Sequence, residues 1–224
     1  MKKETTYDRN FDTLLLDSIS MLFYSLDIEQ NFDFRQTIAR SSMLNSILLL
    51  ELSANICIES LELEGTIFKE IDRLPTLGKF DFYLRSKFRD KKLSRGVIEV
   101  EKVKELKRLR DGYVHMKPHK LEWEIEGDSG MAELAKTSIL DIPKNPSGWD
   151  WSSAIITMAA VHEFLRYFFK DLCKYSAKKV GSFLFSDAKV PGNGDYPMPL
   201  FWRATKKELL DMGIDLGYMR LAWA

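Results

Sequence analysis

Apolar residues recur every three or four positions along most of the chain, which is the spacing of helices that bury one face. Four such segments occupy the first half of the sequence: residues 11–28, 34–68, 79–88 and 96–115. Gly65 indicates a bend or break within the second segment, and Pro118 stops the fourth. Helices therefore dominate the predicted structure.

The pattern changes after the fourth helix. Leu121, Trp123 and Ile125 alternate with glutamates as in a half-exposed strand, and residues 139–142 are its predicted hairpin partner. Residues 151–175 then form a strongly apolar helix, which is expected to pack along the long second helix. A small strand-like insertion is thus predicted between the helices.

Glycine and proline residues are frequent after Lys178 and argue against long regular elements there. A last short helix is predicted from the capping box that begins at Thr205, with its end by Gly213. This segment is therefore expected to be mostly irregular.

These elements predict an all-α fold. It is an antiparallel bundle of four to five main helices with a small strand-like insertion near residues 120–142. We predict a helical domain over residues 1–176 and an irregular carboxy-terminal extension with one short helix over residues 177–224.

Charge and cysteine content narrow the function classes. The chain has 33 basic and 33 acidic residues, so no overall field draws it to nucleic acid or to a membrane. Cys57 and Cys173 are the only cysteines, too few for a disulfide framework or a thiolate metal site.

Residues 1–10 lack the apolar core of a secretory signal, and no apolar run reaches the roughly 20 residues that a membrane span needs. We expect a cytoplasmic protein without membrane association, metal or other cofactor.

Residues 110–115 read Arg-Asp-Gly-Tyr-Val-His and carry the strongest chemical signal. They place an arginine suited to gripping phosphate, a polar neighbour and one of only three histidines near the end of a charged helix. Residues 101–120 contain seven basic and three acidic residues, a local excess that can hold a phosphate backbone despite the neutral whole. The predicted RNA contacts are Lys107, Arg108, Lys117, His119 and Lys120.

The sequence over about residues 10–176 resembles the HEPN superfamily. The resemblance rests on the helical bundle and on these residues: Arg110, Asp111 and His115 near a helix end, Glu51 and Asn55 on the second helix, and the following Leu74-Pro75 and Lys79. HEPN domains are all-α and often dimeric, and many are metal-independent ribonucleases of toxin–antitoxin or defence systems. The resemblance implies that Arg110, Asp111 and His115 are catalytic, with Glu51 and Asn55 in support.

The chemistry can also be argued from the residues themselves. Cleavage of RNA by its own 2′-hydroxyl needs proton transfer, which His115 can supply, and positive charge on the phosphorane, which Arg110 can supply. On a continuous helix the two side chains lie about 140° apart around the axis. They converge only if the helix loosens near Gly112 or if a second copy completes the site, so the enzyme hypothesis predicts a homodimer.

Plainer explanations of these residues stay open. A basic run ending in a histidine complements a helix dipole, and Arg110 is the expected ion-pair partner of Glu51, which otherwise lies exposed on the solvated side of its helix. The alternative function is a catalytically inactive HEPN-like module that dimerises or binds a partner. An antitoxin or a nucleotidyltransferase is the expected kind of partner. His162 lacks a second histidine at metal-binding spacing and is interpreted as a core residue.

Overall fold

The computed structural model describes residues 9–115, 122–126, 129–185, 200–201 and 203–223. Within them the α-helices are α1 (Phe11–Leu26), α2 (Phe32–Glu59), α3 (Gly65–Asp72), α4 (Thr76–Lys87), α5 (Ile98–Val114), α6 (Trp151–Arg166), α7 (Ala177–Leu184) and α8 (Arg203–Asp211). Two small sheets pair β1 (Glu122–Glu126) with β2 (Ser129–Glu133) and β3 (Leu200–Phe201) with β4 (Ala222–Trp223). The predicted all-α helical bundle is confirmed.

The central helix of the bundle is α2, which packs against α1, α4 and α6. The side chain of Asn31 caps its start by accepting the N–H of Phe34 at 2.8 Å. Among the described residues, α2 alone is long and apolar enough to cross a membrane by length and composition. In this structure 61% of that apolar window is covered by the rest of the protein.

The end of α2 lies well before the predicted residue 68. Ser60 is the carboxyl-terminal cap of the helix, and its hydroxyl donates to the carbonyl of Cys57. Glu62 then adopts a left-handed backbone, with φ of 50°, which no helix continues through. Gly65 is the first residue of α3, so the predicted break occurs ahead of it.

The helix predicted over residues 151–175 begins as expected at Trp151, after Asp150 caps it by accepting the N–H of Ser153. It packs along α2, as the sequence indicated. Its last part, Tyr167–Leu172, is π-helical rather than α-helical, with the N–H of Cys173 bonded to the carbonyl of Phe168. This wider turn lets the adjacent Phe168 and Phe169 both reach the core.

The predicted strand at residues 121–125 is present as β1, but its predicted partner is wrong. β1 pairs antiparallel with β2 rather than with residues 139–142. The buried carboxylate of Glu105 accepts the N–H groups of Ser138, Ile139 and Leu140 at 3.0–3.2 Å. Those N–H groups are therefore unable to form a strand ladder.

The described parts of residues 177–224 contain more helix than predicted. They contain two helices, α7 and α8, rather than one. Thr205 lies inside α8, which begins at Arg203, so the predicted capping box does not start the helix. Phe183 of α7 and Leu209 of α8 are buried in the same hydrophobic core as α1, α2 and α6. The division at residue 176 remains a prediction.

Candidate functional site

An open pocket of about 220 Å³ lies where α2, α4 and α5 meet. We call it the polar cleft, and define it by Glu51 and Asn55 of α2, Thr76 and Lys79 at the start of α4, and Lys107 and Arg110 of α5. Residues four apart, or three apart, share one helical face, which is why each helix contributes a pair. Leu74 and Pro75 complete the wall just before α4.

Arg110 is anchored between two carboxylates. Its Nη2 contacts Oε1 of Glu51, and its Nη1 lies 3.0 Å from Oδ1 of Asp111. The Arg110 and Glu51 side chains are 21% and 27% exposed, so their charges are only partly screened by water. The Nε atom of Arg110 is buried and has no partner among the described residues. The expected pairing of Glu51 with Arg110 is therefore present.

Two lysines complete the cleft. Nζ of Lys79 donates to Oδ1 of Asn55 at 2.8 Å and lies 2.6 Å from Oδ1 of Asp72. Nζ of Lys107 donates to the hydroxyl of Thr76 at 2.9 Å and lies 3.8 Å from Oε1 of Glu51. Asn55 thus lines the cleft, where its side-chain oxygen orients Lys79.

The protonation of Lys107 is perturbed by this environment. Burial lowers its pKa, the carboxylate of Asp111 opposes that shift, and the charge of Lys79 adds to it. A cation with a lowered pKa beside two others is a group that an added anion would stabilise in its charged form. An anion that enters the cleft would stabilise charged Lys107 in competition with the carboxylates already paired there.

Lys79, Thr76 and Asp72 had not been predicted as site residues. Lys79 belonged to the family resemblance without a predicted role. Its position between Leu77 and Phe80, on a helix with an apolar face, was a usable signal that it is partly buried. A lysine in such surroundings needs a polar partner. Asp72 and Thr76 carry no comparable signal, because their role depends on how α3, α4 and α5 pack.

His115 caps the carboxyl end of α5 and is exposed. Its N–H bonds to the carbonyl of Asp111 at 2.9 Å, so helical geometry persists through Gly112 up to the histidine. Arg110 and His115 consequently stay about 140° apart around the axis and about 7.5 Å apart along it. The helix does not loosen at Gly112, and one copy of the chain does not bring the two side chains together.

The remaining predicted site residues are distributed around α5. Asp111 is exposed and contacts Arg110, whereas Arg108 lies on the opposite side of the helix from the polar cleft. Lys117, His119 and Lys120 lie outside the described residues. Arg110 and Lys107 thus face the cleft, and Arg108 does not.

His162 and the cysteines lie away from this site. His162 is buried and its Nδ1 is 2.9 Å from the hydroxyl of Tyr218, an arrangement that ties α6 to the end of the chain. Burial lowers the pKa of His162 to about 3, so the ring is neutral at physiological pH. Cys57 and Cys173 are free and buried, and within the described ranges no three His, Cys, Asp or Glu side chains gather as a metal site.

No family model, no curated protein and no solved structure matches the chain. The HEPN resemblance therefore stands on the residues that carry it, chiefly Arg110, Asp111 and His115 with Glu51 and Asn55. What these residues contribute is an open cleft of paired charged groups beside a helix end with an exposed imidazole. Function is inferred from that arrangement.

Proposed function

We propose that this protein is a metal-independent endoribonuclease of the HEPN type, with a toxin or defence role in the cytoplasm. The observation that supports it is the polar cleft, in which Arg110, Lys107 and Lys79 meet, beside the helix end that exposes His115. These are the two kinds of group that cleavage of a phosphodiester requires, a cation for the phosphate and an imidazole for proton transfer.

In the proposed reaction the 2′-hydroxyl oxygen of RNA attacks the adjacent phosphorus. The bond from phosphorus to the 5′-oxygen breaks, which leaves a 2′,3′-cyclic phosphate on one product and a 5′-hydroxyl on the other. Imidazole groups of His115 take the proton from the 2′-hydroxyl and supply one to the leaving 5′-oxygen. Arg110 stabilises the negative charge that builds on the phosphate oxygens. Glu51 and Asp111 act as positioning residues, because they hold the guanidinium from two sides.

The proposal includes a homodimer. Because α5 stays helical through Gly112, Arg110 and His115 of one copy point in different directions. A twofold partner would bring a second imidazole to the site, so that one can act as the base and the other as the acid. An antitoxin, of which a nucleotidyltransferase is one kind, is part of the same proposal as the partner that restrains the enzyme.

The test is cleavage of labelled single-stranded RNA by the purified full-length chain in excess chelator. We expect cleavage with 2′,3′-cyclic phosphate ends, and a loss of about 100-fold or more in His115→Ala. Val114→Ala is the matched control, since Val114 is the exposed neighbour at the same helix end and has no proton to transfer. A folded His115→Ala variant that cleaves RNA as fast as the wild type would refute the proposal.

A second candidate is the catalytically inactive HEPN-like module. It is favoured by one observation, the pairing of Arg110 with both Glu51 and Asp111, which already neutralises the guanidinium. Under this alternative the wild type dimerises or binds a partner and cleaves no RNA. Arg110→Gln would then change folding stability alone.

A further inference from the structure

A second pocket lies on the other side of α5 and belongs to no function described so far. We call it the α5–loop pocket; it is lined by one face of α5 and by the loop that follows, namely Glu105, Arg108, Leu109, Gly112, Thr137, Ser138 and Lys144. Its volume is about 280 Å³, just below the range for ligand sites, roughly 300–1,000 Å³. It therefore suits a small group rather than a whole cofactor.

The wall of this pocket is fixed by Glu105. Its buried carboxylate accepts the backbone N–H groups of Ser138, Ile139 and Leu140, as described above, and so ties the loop to α5. The loop is closed on itself as well, since Thr137 and Lys144 donate their backbone N–H groups to Ile142 and Ala135 at 2.9 and 2.8 Å. The single negative charge of Glu105 therefore stands against the two positive charges of Arg108 and Lys144 in the lining, which leaves the pocket with a net charge of +1.

Arg108 and Lys144 bring two positive charges to the pocket. Neither side chain has a hydrogen-bond or ion-pair partner within the part of the chain that the structure describes. This contrasts with Arg110, Lys107 and Lys79 in the polar cleft, each of which contacts a carboxylate. The hydroxyl of Thr137 accepts the N–H of Ile142 at 3.2 Å and keeps its proton free to donate. The pocket therefore presents donors and positive charge, which suit an anion.

The position of the pocket relates it to His115. His115 lies seven positions after Arg108. This corresponds to about 700°, which is about 20° short of two full turns, and to about 10.5 Å along the axis. Since α5 is continuous to its cap, Arg108, Gly112 and His115 follow one face of the helix. An anion bound by Arg108 would thus lie in line with the imidazole and at a distance from it.

We propose that the α5–loop pocket binds a backbone phosphate of the RNA substrate, one that neighbours the scissile phosphate. This inference rests on the proposed function. It assigns Lys144 and Arg108 as a phosphate clamp and Thr137 as a hydrogen-bond donor to the same group. The pocket would then fix the register of the strand that passes His115, while the polar cleft takes another part of the substrate.

The experiment measures binding separately from cleavage. A fluorescent single-stranded RNA with 2′-O-methyl groups, which is unable to attack its own phosphates, is titrated with full-length wild type, Arg108→Gln, Lys144→Gln and Lys136→Gln. Lys136 is the matched control, because it is an exposed lysine of the same loop that pairs with Asp141 at 2.7 Å and does not line the pocket. Anisotropy is recorded at several salt concentrations.

We expect Arg108→Gln and Lys144→Gln each to weaken binding by about tenfold and Lys136→Gln to change it little. Each of the first two should also reduce the slope of log affinity against log salt by about 0.7, the value for one phosphate contact on a single strand. That result supports the pocket whether or not the wild type cleaves unmodified RNA. Cleavage with unchanged binding in both variants would overturn the pocket and leave the proposed function intact.

A further arm separates RNA from a free phosphorylated compound. Inorganic phosphate is added to each protein and the melting temperature is measured. If phosphate raises it in the wild type but not in Arg108→Gln, while the wild type does not bind RNA, the assignment to RNA is overturned. A wild type that responds to neither phosphate nor RNA overturns the site altogether.

Discussion

The carboxylate of Glu51 on α2 and the guanidinium of Arg110 on α5 form an ion pair that joins two helices across the polar cleft. Both side chains are about three-quarters covered, at 27% and 21% exposure. Loss of one partner leaves the other charge in a partly desolvated site, so this pair is expected to matter more than a surface salt bridge. The pair holds Arg110 in position in the candidate site, and it also links α2 to α5 within the bundle.

Glu51→Gln is expected to lower the free energy of unfolding by about 1–2 kcal/mol, after allowance for the remaining exposure of the pair. The double variant Glu51→Gln/Arg110→Gln should lose less than the sum of the single variants, because neither member of this pair is then left charged without the other. Urea unfolding of the four proteins measures the coupling. Arg73→Gln is the control, since Arg73 and its partner Glu70 are 76% and 67% exposed. Strict additivity of the two single changes would show that the pair contributes nothing.

His162 predicts a dependence of stability on pH. Its pKa is about 3 in the folded chain and ordinarily 6.5, so between these values the unfolded chain binds a proton that the folded chain does not. The contribution of the neutral ring is therefore complete above pH 6.5 and declines as the pH falls towards 3. The expected slope is about 1.4 kcal/mol per pH unit well inside that window.

Urea unfolding of the wild type and of His162→Gln between pH 7 and pH 4.5 checks this expectation. Glutamine does not titrate and keeps a polar group near Tyr218, so the variant should be less stable at pH 7 and show a smaller loss on acidification. Equal slopes in the two proteins would mean that His162 is not the group responsible.

Gly112 lies in the last part of α5, where an added Cβ would meet no atom within 4 Å. Gly112→Ala is therefore expected to raise the free energy of unfolding by about 0.5–1 kcal/mol through helix propensity. Gly213→Ala is the contrasting control, because Gly213 has φ of 80° and the same change there should destabilise. Thermal unfolding measures both.

The same variant tests how Arg110 and His115 act together. If two copies of the chain supply the site, Gly112→Ala keeps its rate of RNA cleavage at saturating RNA, even where the added methyl in the α5–loop pocket weakens RNA binding. If cleavage requires the helix to open at Gly112, Gly112→Ala loses activity while its stability rises. The second outcome would contradict the dimeric site.

A dimeric site also predicts that activity depends on protein concentration. Dilution through the dissociation constant of the dimer should lower the rate of RNA cleavage per chain, because separated copies lack the second imidazole. Sedimentation velocity gives the dissociation constant, and the cleavage assay is run across the same range. Constant activity per chain in a sample that sedimentation shows to be monomeric would remove the homodimer from the mechanism.

The parts of the fold that local signals determine were predictable from the sequence. α1, α5 and α6 have strong apolar periodicity, so the bounds of α1 and α5 and the start of α6 were predicted to within a few residues. The end of α2 and the π-helical turn carry no such signal. They depend on a left-handed residue, Glu62, and on how two adjacent phenylalanines fit the core. The hairpin partner of β1 was predicted wrongly because Glu105, which is distant in sequence, binds the N–H groups of the segment that had been predicted as the partner.

The candidate site divides in the same way. Glu51 follows a run of apolar residues, so its need for a cationic partner such as Arg110 could be reasoned from desolvation alone. The contacts of Lys79 with Asn55 and Asp72 depend on three helices meeting. Lys144 likewise reaches the side of α5 only because the loop folds back onto Glu105. No spacing in the sequence indicates these contacts between residues that are distant along the chain.

The six π-helical residues 167–172 have a consequence for the whole end of the chain. A π-helical turn contains one residue more than an α-helical turn. The residues after it are therefore shifted by one position around the helix, compared with an uninterrupted α-helix. Phe169 and Phe183 then meet edge to face, with ring centroids 5.7 Å apart. Deleting a single residue from this stretch would rotate the following chain by about 100° around the helix axis. The contact between Phe169 and Phe183, which holds α7 against this helix, would then be lost.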